Sequence, residues 1–171
     1  MKNKSTKLVL IALLVALNII LVRFASINLG PSLRINFGFI TIVIMGILFG
    51  PRYSALGAAL ADFIGAIVFP TGGAYFPGFT LSALVTGYIY GKMFYGHKLS
   101  ISRIVISNLL VILIVQFFLN TLWISLIYKK AFIVLISARI IKSFVMLPVE
   151  SLIIIGTYKY ISPVFMKYTE H

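Results

Sequence analysis

Apolar residues in this chain fall into six long runs, at about 8–26, 35–50, 53–70, 78–95, 104–128 and 132–160. A helix needs roughly 20 predominantly apolar residues to cross a bilayer. The runs therefore predict an all-α integral membrane protein, a six-transmembrane-helix bundle forming a single domain over residues 1–171. The second run is short, so it should tilt little or begin inside the preceding link. The sixth is long and holds Pro148, where a kink is expected. The links are brief and rich in turn formers: Asn28, Gly30, Pro31 and Ser32, then Gly50-Pro51-Arg52, then Pro70 through Gly78 with glycines at 72 and 73, then Tyr95 through Arg103, then Tyr128-Lys129-Lys130.

Composition agrees. Hydrophobic residues make up 61% of the chain and charged ones only 11%, against about 25% charged in a typical soluble domain. The polar, basic stretch Met1–Lys7 resembles the start of a signal peptide, but the apolar run behind it continues to about Val22, so a retained first helix is expected. The formal net charge of +12 would suggest nucleic acid in a soluble protein. Here the bases sit between or at the ends of apolar runs, no basic tract or zinc-finger spacing accompanies them, and no nucleic-acid partner is expected. They instead set topology. With the N-terminus cytoplasmic, that side collects Lys2, Lys4, Lys7, Arg52, Lys92, Lys98, Arg103, Lys159 and Lys167, while the other holds mainly Arg34, Lys129 and Lys130. This satisfies the positive-inside rule with both termini cytoplasmic.

Polar residues inside a membrane are costly, so each marks a candidate site. Asp62 and Arg139 each lie about seven residues, or roughly 10 Å, from the outer end of their runs. Asn120 is at a similar depth, and Arg23 is near the outer end of the first run. These groups converge on one level of the outer half, below two outer links bearing glycine and aromatic residues. That is the pattern of a pocket open to the outside. Cations (Arg23, Arg34, Arg139, Lys142) outnumber Asp62 there, which favours an anionic ligand. Two readings of Asp62 and Arg139 stand: part of a ligand site, or one structural ion pair. Arg34 and Lys142 are open between ligand contact and interfacial anchoring. Tyr75 and Phe76 suit stacking on a flat heterocycle, or an ordinary interfacial belt; Trp123 reads as an interface or packing residue. Glu150 lies deeper, roughly 16 Å beyond Arg139 along the helix, and stays outside the pocket, with Arg52 a possible partner.

Small residues recur four apart at Ala12 and Ala16, at Ala55 and Ala59, and at Gly57, Ala61 and Gly65. Such stripes serve close helix packing or docking of another membrane protein, and spacing alone favours packing. There is no phosphate-binding GxxxxGK[ST] loop, so ATP hydrolysis by this chain is not expected. The chain has no cysteine and only two histidines, His97 and His171, both outside the apolar runs. No metal site, cofactor or catalytic set is therefore expected. No internal repeat of the kind that builds self-contained alternating-access transporters is present.

Several stretches resemble the substrate-binding S components of energy-coupling factor (ECF) transporters, and most closely the folate-specific family. They are Arg34-Ile35-Asn36-Phe37-Gly38-Phe39, Gly50-Pro51, the segment from Ala61-Asp62 to Pro70-Thr71-Gly72, Tyr75-Phe76-Pro77-Gly78-Phe79-Thr80-Leu81-Ser82-Ala83, Leu119-Asn120-Thr121-Leu122-Trp123 and Arg139-Ile140-Ile141-Lys142. The resemblance implies a six-helix S-component fold and a role as the folate-binding subunit of an ABC-type importer. Folate or a reduced folate would be the ligand. A membrane coupling protein (the T component) and two cytoplasmic ATPases would be the partners. Ala12-Leu13-Leu14-Val15-Ala16 looks like the family's AxxxA docking motif, which turns the reading of Ala12 and Ala16 toward docking. By the same resemblance, Asp62 would accept hydrogen bonds from the pterin. Arg23 and Arg139 would fix or stack on its polar edge. Tyr75, Phe76 and Phe79 would enclose the rings, and Arg34 and Lys142 would meet the outer carboxylates.

Three competitors predict different features. An S component for a neutral vitamin such as riboflavin leaves the excess cations unexplained. A membrane enzyme acting on lipids requires clustered acids or a buried nucleophile. A homo-oligomeric channel requires a polar stripe from side to side, whereas the polar groups here stop midway.

Overall fold

The computed structural model describes residues 4–28, 34–70, 75–129 and 132–169. Within these ranges some side chains, Arg34 and Lys142 among them, lie outside the described set. The order is α1 (Lys4–Arg23), β1 (Ile27–Asn28), β2 (Arg34–Ile35), α2 (Phe39–Phe49), α3 (Pro51–Val68), α4 (Pro77–Phe94), α5 (Ile101–Leu110), a π-helical stretch (Val111–Leu119), α6 (Asn120–Tyr128) and α7 (Phe132–Thr169). Since α5, the π stretch and α6 follow without a break, six helical spans result, in the six places that the apolar runs predict. Short links force consecutive spans to run antiparallel. One end of the bundle, the loop end, carries the links after α1, α3 and α6; the other carries Lys4, Thr169 and the links after α2 and α4.

Local chemistry explains where the helices begin. Gly50 has φ of 83°, a left-handed region that glycine enters without steric cost, and Pro51 occupies the first turn of α3, so α2 turns into α3 within one residue. Pro77 starts α4 in the same way. At α5, the Ser100 side chain accepts from the Arg103 N–H at 3.3 Å, as an N-cap should. Lys129, at φ 51° and ψ 32°, closes α6 in the left-handed region.

The second span differs from expectation. Its helix begins at Phe39 rather than near 35, because Arg34 and Ile35 pair antiparallel with Asn28 and Ile27. Between strand and helix, the Gly38 N–H donates to Asn36 Oδ1 at 3.2 Å, forming a side-chain-stabilised turn. Helix α2 has 11 residues, or roughly 16 Å, about half a bilayer core. Non-helical backbone is tolerated at membrane depth only where protein covers it. Here Asn18 of α1, fully buried, donates from Nδ2 to Gly38 O at 2.8 Å and to Thr41 Oγ1 at 2.6 Å. In the sixth span the helix runs through Pro148 without interruption.

The core centres on Val43, Met45, Tyr90, Phe94, Ile104 and Ile154. The most extensive helix pair is α3 with α4. They meet through small residues: Ser54, Ala55, Ala58 and Ala61 are buried on α3, and Gly87 and Gly91 on α4. The stripe Gly57–Ala61–Gly65 therefore packs internally, with Gly57 against Met45 and Gly65 against the Arg23 guanidinium. Ala12 and Ala16, by contrast, are exposed on α1. The outer faces of the bundle are apolar: Leu8 is 64% exposed, Leu152 68% and Phe144 80%. Water would penalise so much exposed apolar surface, whereas lipid is its matching solvent.

Candidate functional site

Asp62 sits six residues from the end of α3, roughly 9 Å below the loop end. Its Oδ2 accepts a hydrogen bond from Thr80 Oγ1, in the first turn of α4, at 2.8 Å. Thr80 Oγ1 also lies 3.1 Å from the Tyr75 hydroxyl, and the Tyr75 ring stands edge-on to Phe63 at 5.5 Å. Arg23, the last residue of α1, places its guanidinium against Gly65 one turn from Asp62, close enough for its charge to act on the carboxylate. The structure thus joins Arg23 of α1, Asp62 of α3, Thr80 of α4 and Tyr75, just before α4, in one polar group.

A second polar group lies on the π-helical stretch, α6 and α7. Arg139 of α7 donates from one guanidinium nitrogen to the Gln116 carbonyl at 2.6 Å. The same carbonyl accepts from Thr121 Oγ1 at 3.1 Å. Gln116 belongs to the π-helical stretch, a hydrogen-bond pattern that is rare overall and frequent at functional sites. Next to Thr121, Asn120 Oδ1 is buried and has no hydrogen-bond partner within the described residues.

An aromatic cluster joins the start of α4 to α6. Phe76 is 6.1 Å from Phe79, edge-on, and 5.7 Å from Trp123, tilted. Trp123 donates from Nε1 to Ser82 Oγ, on α4, at 3.1 Å. Gly78 makes room for this cluster: a Cβ there would stand 2.5 Å from both the Phe76 ring and the Trp123 ring. The loop end therefore offers an acid with an oriented carboxylate, two guanidinium groups, an unsatisfied amide oxygen and a set of aromatic rings. These suit a flat heterocycle with polar groups on its edge.

The model of the family described as "ECF transporter, substrate-specific component" matches residues 6–158. The chain belongs to that family. This substrate-specific component is 38% identical to the "Folate transporter FolT" of Clostridium novyi (strain NT) over 157 residues, 92% of this chain and 90% of that protein. It is 34% identical to the protein of the same description from Leuconostoc mesenteroides over 156 residues, 87% of this chain and 82% of that one. Among solved structures it is similar to "Crystal structure of FolT bound with folic acid", with a TM-score of 0.81, 33% identity and 91% of each chain covered. The helical architecture is that of the family, a family of membrane transporters.

Of the residues singled out from the sequence, Asp62 is linked to Tyr75 through Thr80 and to Arg23 through its charge. Phe76 and Phe79 meet each other, and Arg139 and Asn120 both adjoin the Gln116–Thr121 turn. The contacts described for Asp62 go to Thr80 and to the charge of Arg23, so the acid is engaged away from Arg139. The side chains of Arg34 and Lys142 lie outside the described residues. Thr80, Ser82 and Gln116 were not anticipated, and Trp123, read as an interface or packing residue, packs against Phe76. Gln116 takes part through its backbone carbonyl, which no side-chain pattern marks.

At the other end, Glu150 is buried on α7 and acts electrostatically on Tyr90. The Tyr90 hydroxyl donates to Asn108 Oδ1 at 2.9 Å, and Asn108 Nδ2 donates to Ser151 Oγ at 2.9 Å. This buried network ties α4, α5 and α7 together, away from the loop end. Arg52, considered as a partner for Glu150, is exposed.

Proposed function

We propose that this chain is the folate-capturing subunit of an ECF importer. It takes folate or a reduced folate at the loop end, facing outside, and delivers it inward together with a membrane coupling protein and two cytoplasmic ATPases. The observation that carries this reading is the Asp62 carboxylate, held by Thr80 within a membrane span beside an arginine and aromatic rings. A pterin presents an amino group and ring N–H groups to such an acid. Asn120 Oδ1, a buried acceptor without a described partner, suits a further ligand N–H, since leaving it unmade costs roughly 1–3 kcal/mol. Arg23 and Arg139 fix the polar edge or stack on it. Tyr75, Phe76 and Phe79 enclose the rings, and Arg34 and Lys142 meet the two carboxylates of the glutamate tail. The likeness to two folate transporters and to a structure that holds folic acid supports the choice of ligand.

The protein is multi-pass in the cell membrane with both termini cytoplasmic, the orientation that keeps most bases inside. Ala12 and Ala16, exposed on α1, form the surface that docks on the coupling protein, because small side chains allow close helix approach.

The test is competitive binding of folate, riboflavin, thiamine and biotin to the detergent-purified protein. Folate alone should bind tightly, and Asp62→Ala should weaken it severely. Preference for another vitamin would overturn the ligand assignment. Unchanged folate affinity in Asp62→Ala would overturn the role of the carboxylate.

A further inference from the structure

We propose that Thr80 is a positioning residue for the ligand-binding carboxylate of Asp62, and that a one-way hydrogen-bond chain links that carboxylate to Tyr75. A threonine hydroxyl carries one proton and two lone pairs, and an ionised carboxylate only accepts. At 2.8 Å, Thr80 Oγ1 donates to Asp62 Oδ2, so its proton is committed. The Tyr75 hydroxyl, 3.1 Å from the same oxygen, must then be the donor of the second bond. The chain runs from Tyr75 through Thr80 to Asp62.

Two consequences follow. The carboxylate is fixed in rotation by one lone pair, which leaves its remaining lone pairs for ligand N–H groups, about three of the four that a carboxylate offers. A charge-assisted bond of this kind is roughly twice as strong as a neutral one, and Thr80 is locked by its place in the first turn of α4. Tyr75 precedes α4 at the end of the link from α3, and its ring is braced edge-on by Phe63, the residue next to Asp62. The position of the Tyr75 hydroxyl is thereby coupled to the binding carboxylate through Thr80. Thr80 need not touch the ligand for this.

The inference rests on the folate reading, and folate binding by the unaltered protein is the control that separates the two. Affinity is measured for wild type, Thr80→Val, Thr80→Ser and Tyr75→Phe, each in the Asp62 and the Asp62→Asn backgrounds, on protein checked for a single species by size exclusion. Thr80→Val should weaken folate about tenfold, the scale of one hydrogen bond to a charged group. Thr80→Ser should retain wild-type affinity, and Tyr75→Phe should cost about threefold, the scale of a neutral bond. In the Asp62→Asn background these losses should largely vanish, because the group being positioned has lost its charge. Wild-type affinity in Thr80→Val, or equal losses in both backgrounds, would overturn the inference while leaving folate binding intact. Should Thr80→Val fail to fold, the Tyr75→Phe comparison decides alone by the same criterion.

Discussion

Gly87 is where the smallest change should disturb the site from a distance. A Cβ at this position would meet the Ser54 carbonyl oxygen, stand 2.6 Å from the Ser54 carbonyl carbon and 2.8 Å from Ala55 Cα. Carbon atoms rest at about 3.5–4.0 Å, so Gly87→Ala requires α3 and α4 to separate by roughly 0.7–0.9 Å. The obstructing atoms are backbone within a helix, and no rotamer change relieves them. Overpacking of this kind costs about 1–3 kcal/mol, a fall in melting temperature on the order of 5 °C for a chain of this size. The same separation acts on the Asp62–Thr80 bond, which joins the two helices at 2.8 Å. Even half of it would carry that bond beyond the usual O–H···O range of about 2.5–3.0 Å. Folate affinity should therefore fall about five- to tenfold alongside stability. Both can be followed in one sample, since the single tryptophan, Trp123, lies against Phe76 and its fluorescence should change when ligand enters. Gly156→Ala is the control: nothing lies within 4 Å of its added Cβ, so it should be neutral or raise stability slightly through helix propensity. A Gly87→Ala protein with unaltered melting and unaltered affinity would refute the close α3–α4 contact as the determinant of site geometry.

Three further outcomes are expected. Arg139→Gln should weaken folate binding more than tenfold by titration calorimetry, while Arg139→Lys recovers only part, because an ammonium cannot engage the Gln116 carbonyl and a ligand with a planar fork. Ala16→Leu should leave folate binding unchanged, since the residue is exposed, but abolish copurification with the coupling protein and ATPases; retained copurification would remove Ala16 from the docking surface. Tyr90→Phe strands the buried Asn108 Oδ1, costing about 1–3 kcal/mol; melting temperature should fall while folate affinity holds.

The helical spans were legible because lipid imposes a length on every apolar run, and Pro51 and Pro77 mark helix starts within the chain itself. The start of α2 was not, since Arg34 and Ile35 read equally well as the edge of a helix. Their strand pairing depends on Asn28 and Ile27 across a link, and the covering of Gly38 depends on Asn18 from another helix. The π stretch was invisible for a related reason: Val111–Leu119 is apolar throughout, and composition does not separate two helical hydrogen-bond patterns. Within the site, Asp62, Arg139 and Asn120 stood out because charge and amide groups are costly in hydrocarbon. Thr80 and Ser82 did not, because a hydroxyl is cheap anywhere in a helix, where it can return its bond to the preceding turn. What Gln116 contributes to the described contacts is a backbone carbonyl, which every residue carries, so its role follows from Arg139 reaching it.

The most direct measurement is the identity of the small molecule that leaves the cells with the protein. Protein purified in mild detergent should release, on denaturation, a compound with the mass and ultraviolet absorbance of folate or a reduced folate, and the Asp62→Ala variant should release little of it. Recovery of a different vitamin in stoichiometric amount, with folate unable to displace it, would contradict the account.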